Sequence, residues 1–307
     1  MTADLLQNID AHGALFDLST RAKWQLSGGD RMRYLNGQVT NDVRRASTDE
    51  ALYACVTDVK GRIVGDIHIH AHDEALCFDA EPELREILGP RLERYIIADD
   101  AELTDISEDW QLWHLCGPEA LAALDAMPMP EGARRIHNNR LATPGLDLWL
   151  PAHSPFPTSN FQCSKFDVGS SMFDVLRILR AIPRYPHELG PDTFPPEAGL
   201  ETSAMSFTKG CYIGQEVLSR IKTTGKMPRV LVRWQASELV RAGDEWYAEA
   251  SDARIGHATS AAFHPGLQRW VGLGFVKQAS AALDSELLVR NAQPRIGPLV
   301  EISALLN

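Results

Sequence analysis

Short strand-like runs, separated by turn residues, dominate the first quarter of the chain. Residues 23–26 alternate between polar and apolar side chains, and residues 52–56 are a continuous β-rich apolar run. A turn at residues 58–61, which contains Lys60-Gly61, separates the second run from another strand-like run at 62–70. These runs predict a β-sheet that contains a hairpin.

Three further segments have helical spacing. Asp30 can cap a helix that begins at Arg31, and Gly37 is a candidate for its end. Residues 81–94 and 172–179 predict two more helices, the second stopping before a proline. The apolar positions of the 81–94 segment, spaced for one face, are Leu84, Ile87, Leu88, Leu92 and Tyr95.

The last quarter of the chain changes to short, regularly spaced β runs, which predict a small β-barrel or sandwich. These runs are 229–234, 245–249, 254–260, 272–277 and 286–290. We therefore expect an α+β fold with an amino-terminal region over residues 1–225 and a carboxy-terminal β domain over 226–307. A loop with five prolines, at 183–196, precedes the boundary, and loops of this length are often functional.

Composition narrows the class of protein. At 307 residues the chain is too long for one comfortable core, so two or three subdomains are expected. The net charge of −11 argues against general binding to nucleic acid or to an anionic membrane. The amino terminus lacks a secretory pattern, and no apolar run is long enough to cross a bilayer. Five scattered cysteines suit reduced thiols in the cytoplasm and predict neither a disulfide framework nor a zinc site.

The segment Lys209-Gly-Cys-Tyr-Ile-Gly-Gln-Glu216 is the main candidate for the functional centre, because it holds a cysteine, a lysine, a glutamine and a glutamate within eight residues. Two glycines allow tight turns or close approach of a ligand, and a lysine near Cys211 favours a thiolate. Spacing alone leaves two interpretations open, a reactive cysteine or a buried structural one.

The balance of charge reverses between Lys209 and Arg229, a stretch that we call the basic run. It contains one acidic residue, Glu216, and five basic residues: Lys209, Arg220, Lys222, Lys226 and Arg229. The run indicates either an anion site, for a polyglutamate tail or a phosphate, or a solvated strand and turn.

The strand-like run from Asp66 to His72 places Asp66, His68, His70 and His72 on one face. A metal site is one interpretation, although residues two apart on a straight strand rarely converge on one ion. An exposed polar face is the interpretation we favour over a metal. Asp66 is a separate candidate for ligand binding or acid–base chemistry.

Several longer motifs resemble the YgfZ family, folate-binding proteins of iron–sulfur cluster assembly and repair that are related to the glycine-cleavage T-protein, an aminomethyltransferase. The octapeptide at 209–216 is complete, and the segment Pro196–Leu200 is similar to the family's approach to it. The other similar segments are 29–42, 57–66, 255–260 and 272–276. The resemblance covers nearly the whole chain.

The resemblance implies a GcvT/YgfZ-like fold of three subdomains around a central folate channel, with a carboxy-terminal β-barrel. It implies tetrahydrofolate, or a derivative, as the ligand and iron–sulfur enzymes or assembly proteins as partners. Catalytic roles fall on Cys211 and on Asp66, which matches the catalytic aspartate of T-proteins. Further folate-binding candidates, beside Asp66, are Asn41, Arg177 and Glu197. The remaining motif residues are Lys209, Gly210, Tyr212, Gly214, Gln215 and Glu216.

One feature of the T-proteins is missing. Their Arg-x-Glu-x-Gly run aligns with residues 177–181, where Leu179 replaces the glutamate that grips the pterin and Ala181 replaces the usual glycine. Loss of a carboxylate that pairs with the pterin should weaken or reorient folate binding.

Three functions follow from these observations. The first is an accessory protein that uses folate and Cys211 to assemble or repair iron–sulfur enzymes. The second is a tetrahydrofolate-dependent transferase of the aminomethyltransferase type, supported by Asp66 and opposed by Leu179. The third is a partner in tRNA modification, suggested by the basic run and placed last because the chain is acidic.

Overall fold

The computed structural model describes residues 3–167, 171–248, 253–281, 286–290 and 296–305. The α-helices are α1 (Ala3–His12), α2 (Arg31–Gln38), α3 (Arg85–Glu93), α4 (Pro118–Asp125), α5 (Ser171–Leu179) and α6 (Gln215–Thr224). The strands before α6 are β1 (Ala14–Asp17), β2 (Ala22–Ser27), β3 (Leu52–Thr57), β4 (Ile63–His72), β5 (Ala75–Ala80), β6 (Glu102–Asp105), β7 (Trp110–Cys116), β8 (Arg134–His137), β9 (Gly145–Pro151) and β10 (Ser164–Asp167). The strands after α6 are β11 (Arg229–Ala236), β12 (Glu245–Tyr247), β13 (Arg254–His264), β14 (Arg269–Lys277), β15 (Glu286–Arg290) and β16 (Ile296–Leu305).

The first sheet has the strand order β3-β4-β5-β2-β6, and all its pairings are antiparallel. Its hairpin β3–β4 is the one that the turn at 58–61 predicts, and it pairs Tyr53 with His68 and Cys55 with Asp66. Leu35 of α2 and Leu88 of α3 belong to the core cluster of this sheet. Helices therefore cover one face of this sheet and bury its apolar side chains.

The second sheet has the order β10-β1-β7-β9-β8, with β1 parallel to β10 and the other pairings antiparallel. Trp149 of β9 lies with its ring edge toward His70 of the first sheet, at 4.9 Å between centroids. This contact shows that the two sheets pack together through the face of β4 that carries the histidines.

The carboxy-terminal strands close into a barrel in the order β11-β14-β13-β12-β15-β16, and β16 returns to pair with β11. Helix α5 packs on the outside of this barrel, where Val175 and Ile178 join a cluster with Leu231, Leu273 and Phe275. The α+β class and the barrel predicted from the sequence are thus confirmed. The barrel's first strand begins at Arg229, while the boundary at 225/226 stays a prediction.

Some local predictions are wrong in detail. Asp30 does not cap α2 through its side chain, which accepts instead from the backbone N–H of Asp100, and the helix runs through Gly37 to Gln38. Of the predicted apolar face at 81–94, Ile87 and Tyr95 are exposed. The helix itself begins only at Arg85 because a short 3₁₀ turn precedes it.

Among the described helices, none is both long and apolar enough to cross a membrane.

Candidate functional site

A cavity of about 720 Å³ lies where the two sheets meet α5 and the chain segments around residues 138–142, 180–184 and 198–203. This volume is within the usual range of small-molecule sites, roughly 300–1,000 Å³. None of its lining residues in the described part of the chain belongs to the barrel strands. The barrel therefore supports α5 from behind and leaves the cavity to the amino-terminal region.

Asp66 of β4 is part of the cavity wall and is 7% exposed. Its Oδ2 accepts a hydrogen bond from the hydroxyl of Tyr53 at 3.0 Å, whereas its Oδ1 is buried and has no partner among the described residues. Burial raises the pKa of Asp66 to about 6, and the guanidinium of Arg21 opposes the rise. A buried carboxylate oxygen without a partner costs free energy, so Asp66 is prepared to accept from a ligand N–H.

Tyr53 of β3 is the residue that orients Asp66. Its ring stacks on that of His68, its register partner, with 4.6 Å between centroids, and it reaches diagonally to the carboxylate. Sequence reasoning missed Tyr53 as a site residue. The hairpin register was the signal that could have found it, because residues on diagonal positions of neighbouring strands share one face.

A buried network of charges includes three residues of the cavity wall, Arg21, Glu81 and Arg140. Asp79 accepts from Arg21 and from Arg140, each at 2.5 Å, and Arg140 also pairs with Asp147 at 2.7 Å. Arg21 donates further to Glu81. Each charge in this network has an opposite partner, which is the condition for burying ions at acceptable cost. The network fixes the backbone of both sheets around the cavity.

The exposed-face interpretation of Asp66 to His72 is wrong. Asp66 and His70 are buried, because the second sheet covers this face of β4 and Trp149 packs against His70. His68 and His70 each contact a different aromatic ring. Within the described residues, no three side chains of the metal-binding types are grouped to hold an ion.

Arg177 lines the cavity, as a folate-binding candidate should, but its guanidinium is occupied by the protein. It donates to Asp174 at 2.6 Å, to Glu188 at 3.1 Å and to Ser260 of β13 at 2.6 Å. Arg177 therefore ties α5 to the proline-rich loop and to the barrel. A direct contact of Arg177 with folate stays a prediction.

The two other folate-binding candidates differ in position. Asn41 lines the cavity, with its side-chain nitrogen donating to the carbonyl oxygens of Tyr53 at 2.9 Å and Ser203 at 3.3 Å. Glu197 is not among the described lining residues. Its Oε2 accepts from the backbone N–H of Phe194 at 3.0 Å and pairs with Arg229 at 3.4 Å. A role for either residue in folate binding stays a prediction.

Leu179 and Ala181, the two residues that differ from the T-protein pattern, lie at different places relative to the cavity. Leu179 packs against the cluster between α5 and the barrel, and it is absent from the described lining of the cavity. Ala181 lines the cavity with a φ of +60°, a left-handed conformation that favours glycine. An alanine at this position narrows the cavity by one methyl group at a cost in backbone strain.

Ala181→Gly should therefore stabilise the protein by about 0.5–1 kcal/mol, because glycine adopts the left-handed conformation without a Cβ clash. Urea denaturation measures the change in the free energy of unfolding. Ala120→Gly in α4, at a helical position, is the matched control and should destabilise the protein. Equal destabilisation by both substitutions would contradict the strain at residue 181.

Lys209 anchors the cysteine motif to the first sheet. Its ammonium donates to the carbonyl oxygens of Asn36 at 2.6 Å, Val39 at 2.8 Å and Asn41 at 2.7 Å, and it is 6% exposed. Burial lowers the pKa of Lys209 to about 7. Three carbonyls match the three donors of an ammonium group, so the lysine closes the end of α2. Stabilisation of a Cys211 thiolate by this lysine stays a prediction.

Cys211 is exposed and is not among the described residues that line the cavity. The next residue, Tyr212, turns inward and packs with Met205 and Leu218. Gly214 has a φ of +88°, and a Cβ there would lie 2.6 Å from the carbonyl oxygen of Asp58. The motif thus locks onto the β3–β4 turn while presenting the thiol to solvent. The interpretation of Cys211 as a buried structural cysteine is wrong.

The rest of the motif starts helix α6. Gln215 is its first residue, and Glu216 lies in its first turn, where a carboxylate suits the helix dipole. Gly210 differs from Gly214: a Cβ at residue 210 would meet no atom within 4 Å. The fold therefore requires glycine at position 214, whereas at position 210 the described residues leave room for a side chain.

The basic run is only partly a surface feature. Lys209 is buried, and Arg229 donates to the carbonyl oxygen of Asp192 at 2.6 Å and lies over the ring of Phe275 at 4.1 Å. The residues of the run that are exposed are Arg220, Lys222 and Lys226. The positive patch is correspondingly smaller than the sequence suggests.

Comparison with known proteins places this geometry in a family. Two family models match the sequence. The one for the GCVT N-terminal domain matches residues 3–132, and the one for the glycine cleavage T-protein C-terminal barrel domain matches residues 229–299. The chain is 26% identical over 310 residues to an aminomethyltransferase of Shouchella clausii, covering 90% of this chain and 81% of that protein. It is 28% identical over 246 residues to a tRNA-modifying protein YgfZ of Photobacterium profundum, covering 75% of this chain and 73% of that protein.

The solved structure of glycine cleavage system aminomethyltransferase T from Bartonella henselae superposes with a TM-score of 0.81 over 98% of this chain and 87% of that one, at 18% identity. The fold is therefore that of a T-protein, with its carboxy-terminal barrel. The chain belongs to the family of YgfZ proteins and their relatives, the glycine-cleavage T-proteins.

Proposed function

We propose that this cytoplasmic protein binds tetrahydrofolate, or a derivative, in the cavity at Asp66 and acts through Cys211 as an accessory factor for iron–sulfur enzymes. The observation that carries the folate assignment is the unpartnered Oδ1 of Asp66 in the wall of a cavity of about 720 Å³. A reduced pterin offers several N–H donors to such an oxygen. Family membership supports the same ligand.

The separation of thiol and cavity shapes the proposed role of Cys211. The exposed thiol faces solvent, where an iron–sulfur enzyme or an assembly protein can reach it. Folate and partner then meet the protein at different places. The two places are connected through Asn41, whose carbonyl accepts from Lys209 of the motif while its side chain lies in the cavity wall.

A second candidate function is transfer of a one-carbon unit to tetrahydrofolate, in the manner of the aminomethyltransferases that the chain resembles. Asp66 favours it, because a carboxyl with a pKa of about 6 can exchange a proton near neutral pH. Leu179 opposes it, because the pterin-gripping glutamate of T-proteins is replaced by an apolar side chain that packs toward the barrel. Incubation with an aminomethylated lipoyl carrier and tetrahydrofolate separates the two: methylenetetrahydrofolate forms only if the protein is a transferase.

A direct role in tRNA modification has weaker support. The name of the Photobacterium profundum relative suggests it, but the exposed basic residues of the run form a small patch on a chain of net charge −11. Phosphate contacts strengthen as salt is lowered. Binding of tRNA at low salt would support this function.

Cys211→Ser should abolish support of iron–sulfur enzymes while leaving folate affinity unchanged, since the thiol lies outside the described lining of the cavity. The measurement is the activity of a [4Fe–4S] enzyme in a deletion strain that carries each variant, with a folate titration of the same purified proteins. Cys163→Ser, at a partly exposed cysteine in a separate part of the fold, is the control and should behave as wild type. Full restoration of enzyme activity by Cys211→Ser would show that the thiol is not needed.

A further inference from the structure

Asn138, a residue between the two sheets, determines which ring nitrogen of His68 carries the proton. The side-chain nitrogen of Asn138 lies 2.7 Å from Oδ2 of Asp147 and 3.1 Å from Nδ1 of His68. Although burial opposes its charge, Arg140 holds the pKa of Asp147 far below the ordinary value. Asp147 is therefore an ionised acceptor, and the Asn138 atom that faces it must be the NH₂ group.

The same NH₂ group determines the tautomer of the histidine. Its second hydrogen points to Nδ1 of His68, so this ring nitrogen must accept and cannot carry a proton. Burial, with the positive charge of Arg140, lowers the pKa of His68 well below its ordinary value, which agrees with a neutral ring. The single ring proton is consequently on Nε2.

His68 presents this N–H in the wall of the cavity. The ring is among the lining residues, and the stack on Tyr53 holds its plane at 25° to the tyrosine ring. No described residue is hydrogen-bonded to Nε2 of His68. Asp66 lies two positions earlier on the same face of β4, which separates the two side chains by about 7 Å along the strand. One wall thus carries an acceptor and a donor with fixed roles.

We propose that His68 is a positioning residue for the folate, donating its Nε2–H to a carbonyl oxygen or ring nitrogen of the ligand while Asp66 accepts from a ligand N–H. This inference rests on the proposed function and assigns a second polar contact to the same site. The pair distinguishes the ends of a planar heterocycle, because reversal would place donor against donor. His68 therefore determines the orientation of the ligand, in a chain that lacks the pterin-gripping glutamate.

Two substitutions separate this role from a structural one. In His68→Gln the terminal amide can place an N–H where Nε2 was, but the acceptor for Asn138 is lost. In His68→Asn an oxygen can replace Nδ1 as the acceptor for Asn138, but the donor to the ligand is lost. We expect His68→Asn to weaken tetrahydrofolate binding about 10- to 100-fold, and His68→Gln to stay within about threefold of wild type. Calorimetric titration measures both.

A purely structural His68 gives the opposite order: His68→Asn binds like wild type and His68→Gln is the impaired variant. That result would overturn the proposal while leaving folate binding intact. If wild type itself does not bind tetrahydrofolate, the proposed function fails instead. Nitrogen-15 spectra of the histidine side chains test the tautomer without ligand. A protonated Nε2 and bare Nδ1 on His68 at neutral pH support the inference, and a proton on Nδ1 overturns it.

Discussion

Asp66→Asn should weaken tetrahydrofolate binding by about 10- to 100-fold, because it removes the negative charge of a carboxylate whose Oδ1 has no partner among the described residues. Wild-type affinity should also fall as the pH drops below about 6, where the carboxyl takes up a proton and its Oδ1 no longer accepts as strongly. The asparagine variant should lose this dependence on pH. Calorimetric titrations at several pH values measure both effects.

The same substitution should stabilise the folded protein at neutral pH. The pKa of Asp66 is about 6 in the folded chain, against 3.8 for the ordinary group, so the folded state binds the proton more tightly. The stabilising effect of this proton is complete below about pH 4 and is lost as the pH rises through about 6. Asp66→Asn should therefore exceed wild type by roughly 2–3 kcal/mol at pH 8 and match it near pH 4.

Urea denaturation at the two pH values tests this expectation. Asp73→Asn, at an exposed carboxylate just beyond the end of β4, is the matched control and should change neither stability nor binding by much. Lower stability of Asp66→Asn at pH 8, together with unchanged folate affinity, would mean that Asp66 is an ordinary structural carboxylate.

Lys209→Met should lower the free energy of unfolding by about 2–5 kcal/mol, because the three carbonyl oxygens at the end of α2 lose their donor while staying largely buried. Methionine keeps much of the length and volume of the lysine stem, so lost hydrogen bonds dominate over lost packing. Folate affinity should fall as well, because Asn41 carries one of these carbonyls and lies in the cavity wall.

Lys226→Met is the control for Lys209→Met, since Lys226 is exposed just after α6. Its effect on stability should be within about 0.5 kcal/mol. Guanidinium or urea midpoints compare the two variants. Equal midpoints would show that Lys209 does not anchor the motif.

Short β-rich runs separated by turn residues predict the β3–β4 hairpin and most of the barrel. The predicted β runs end at residue 290 and do not include β16. The two glycines of the motif indicate a turn, so the sequence does not predict helix α6. Both elements depend on what they pack against, which a short window of sequence does not contain.

The sequence predicts those residues of the candidate site that lie in a recognisable motif, and it does not predict contacts between residues far apart in the chain. Matching segments identify Asp66 and Cys211. They do not identify the buried network, because Arg21 and Arg140 reach Asp79 across 58 and 61 residues of chain. The contacts of Lys209 are equally hidden from the sequence. Its closeness to Cys211 along the chain suggests a role at the thiol, whereas in the fold its ammonium donates to three carbonyl oxygens near residue 40.

Every part of the proposed function depends on tetrahydrofolate binding in the cavity at Asp66. Calorimetric titration of the wild-type protein with tetrahydrofolate, beside Asp66→Asn and Asp73→Asn, is the decisive measurement. We expect saturable one-to-one binding to wild type and Asp73→Asn, and binding at least about tenfold weaker to Asp66→Asn. Absence of binding to wild type, or equal affinity for all three proteins, would contradict it.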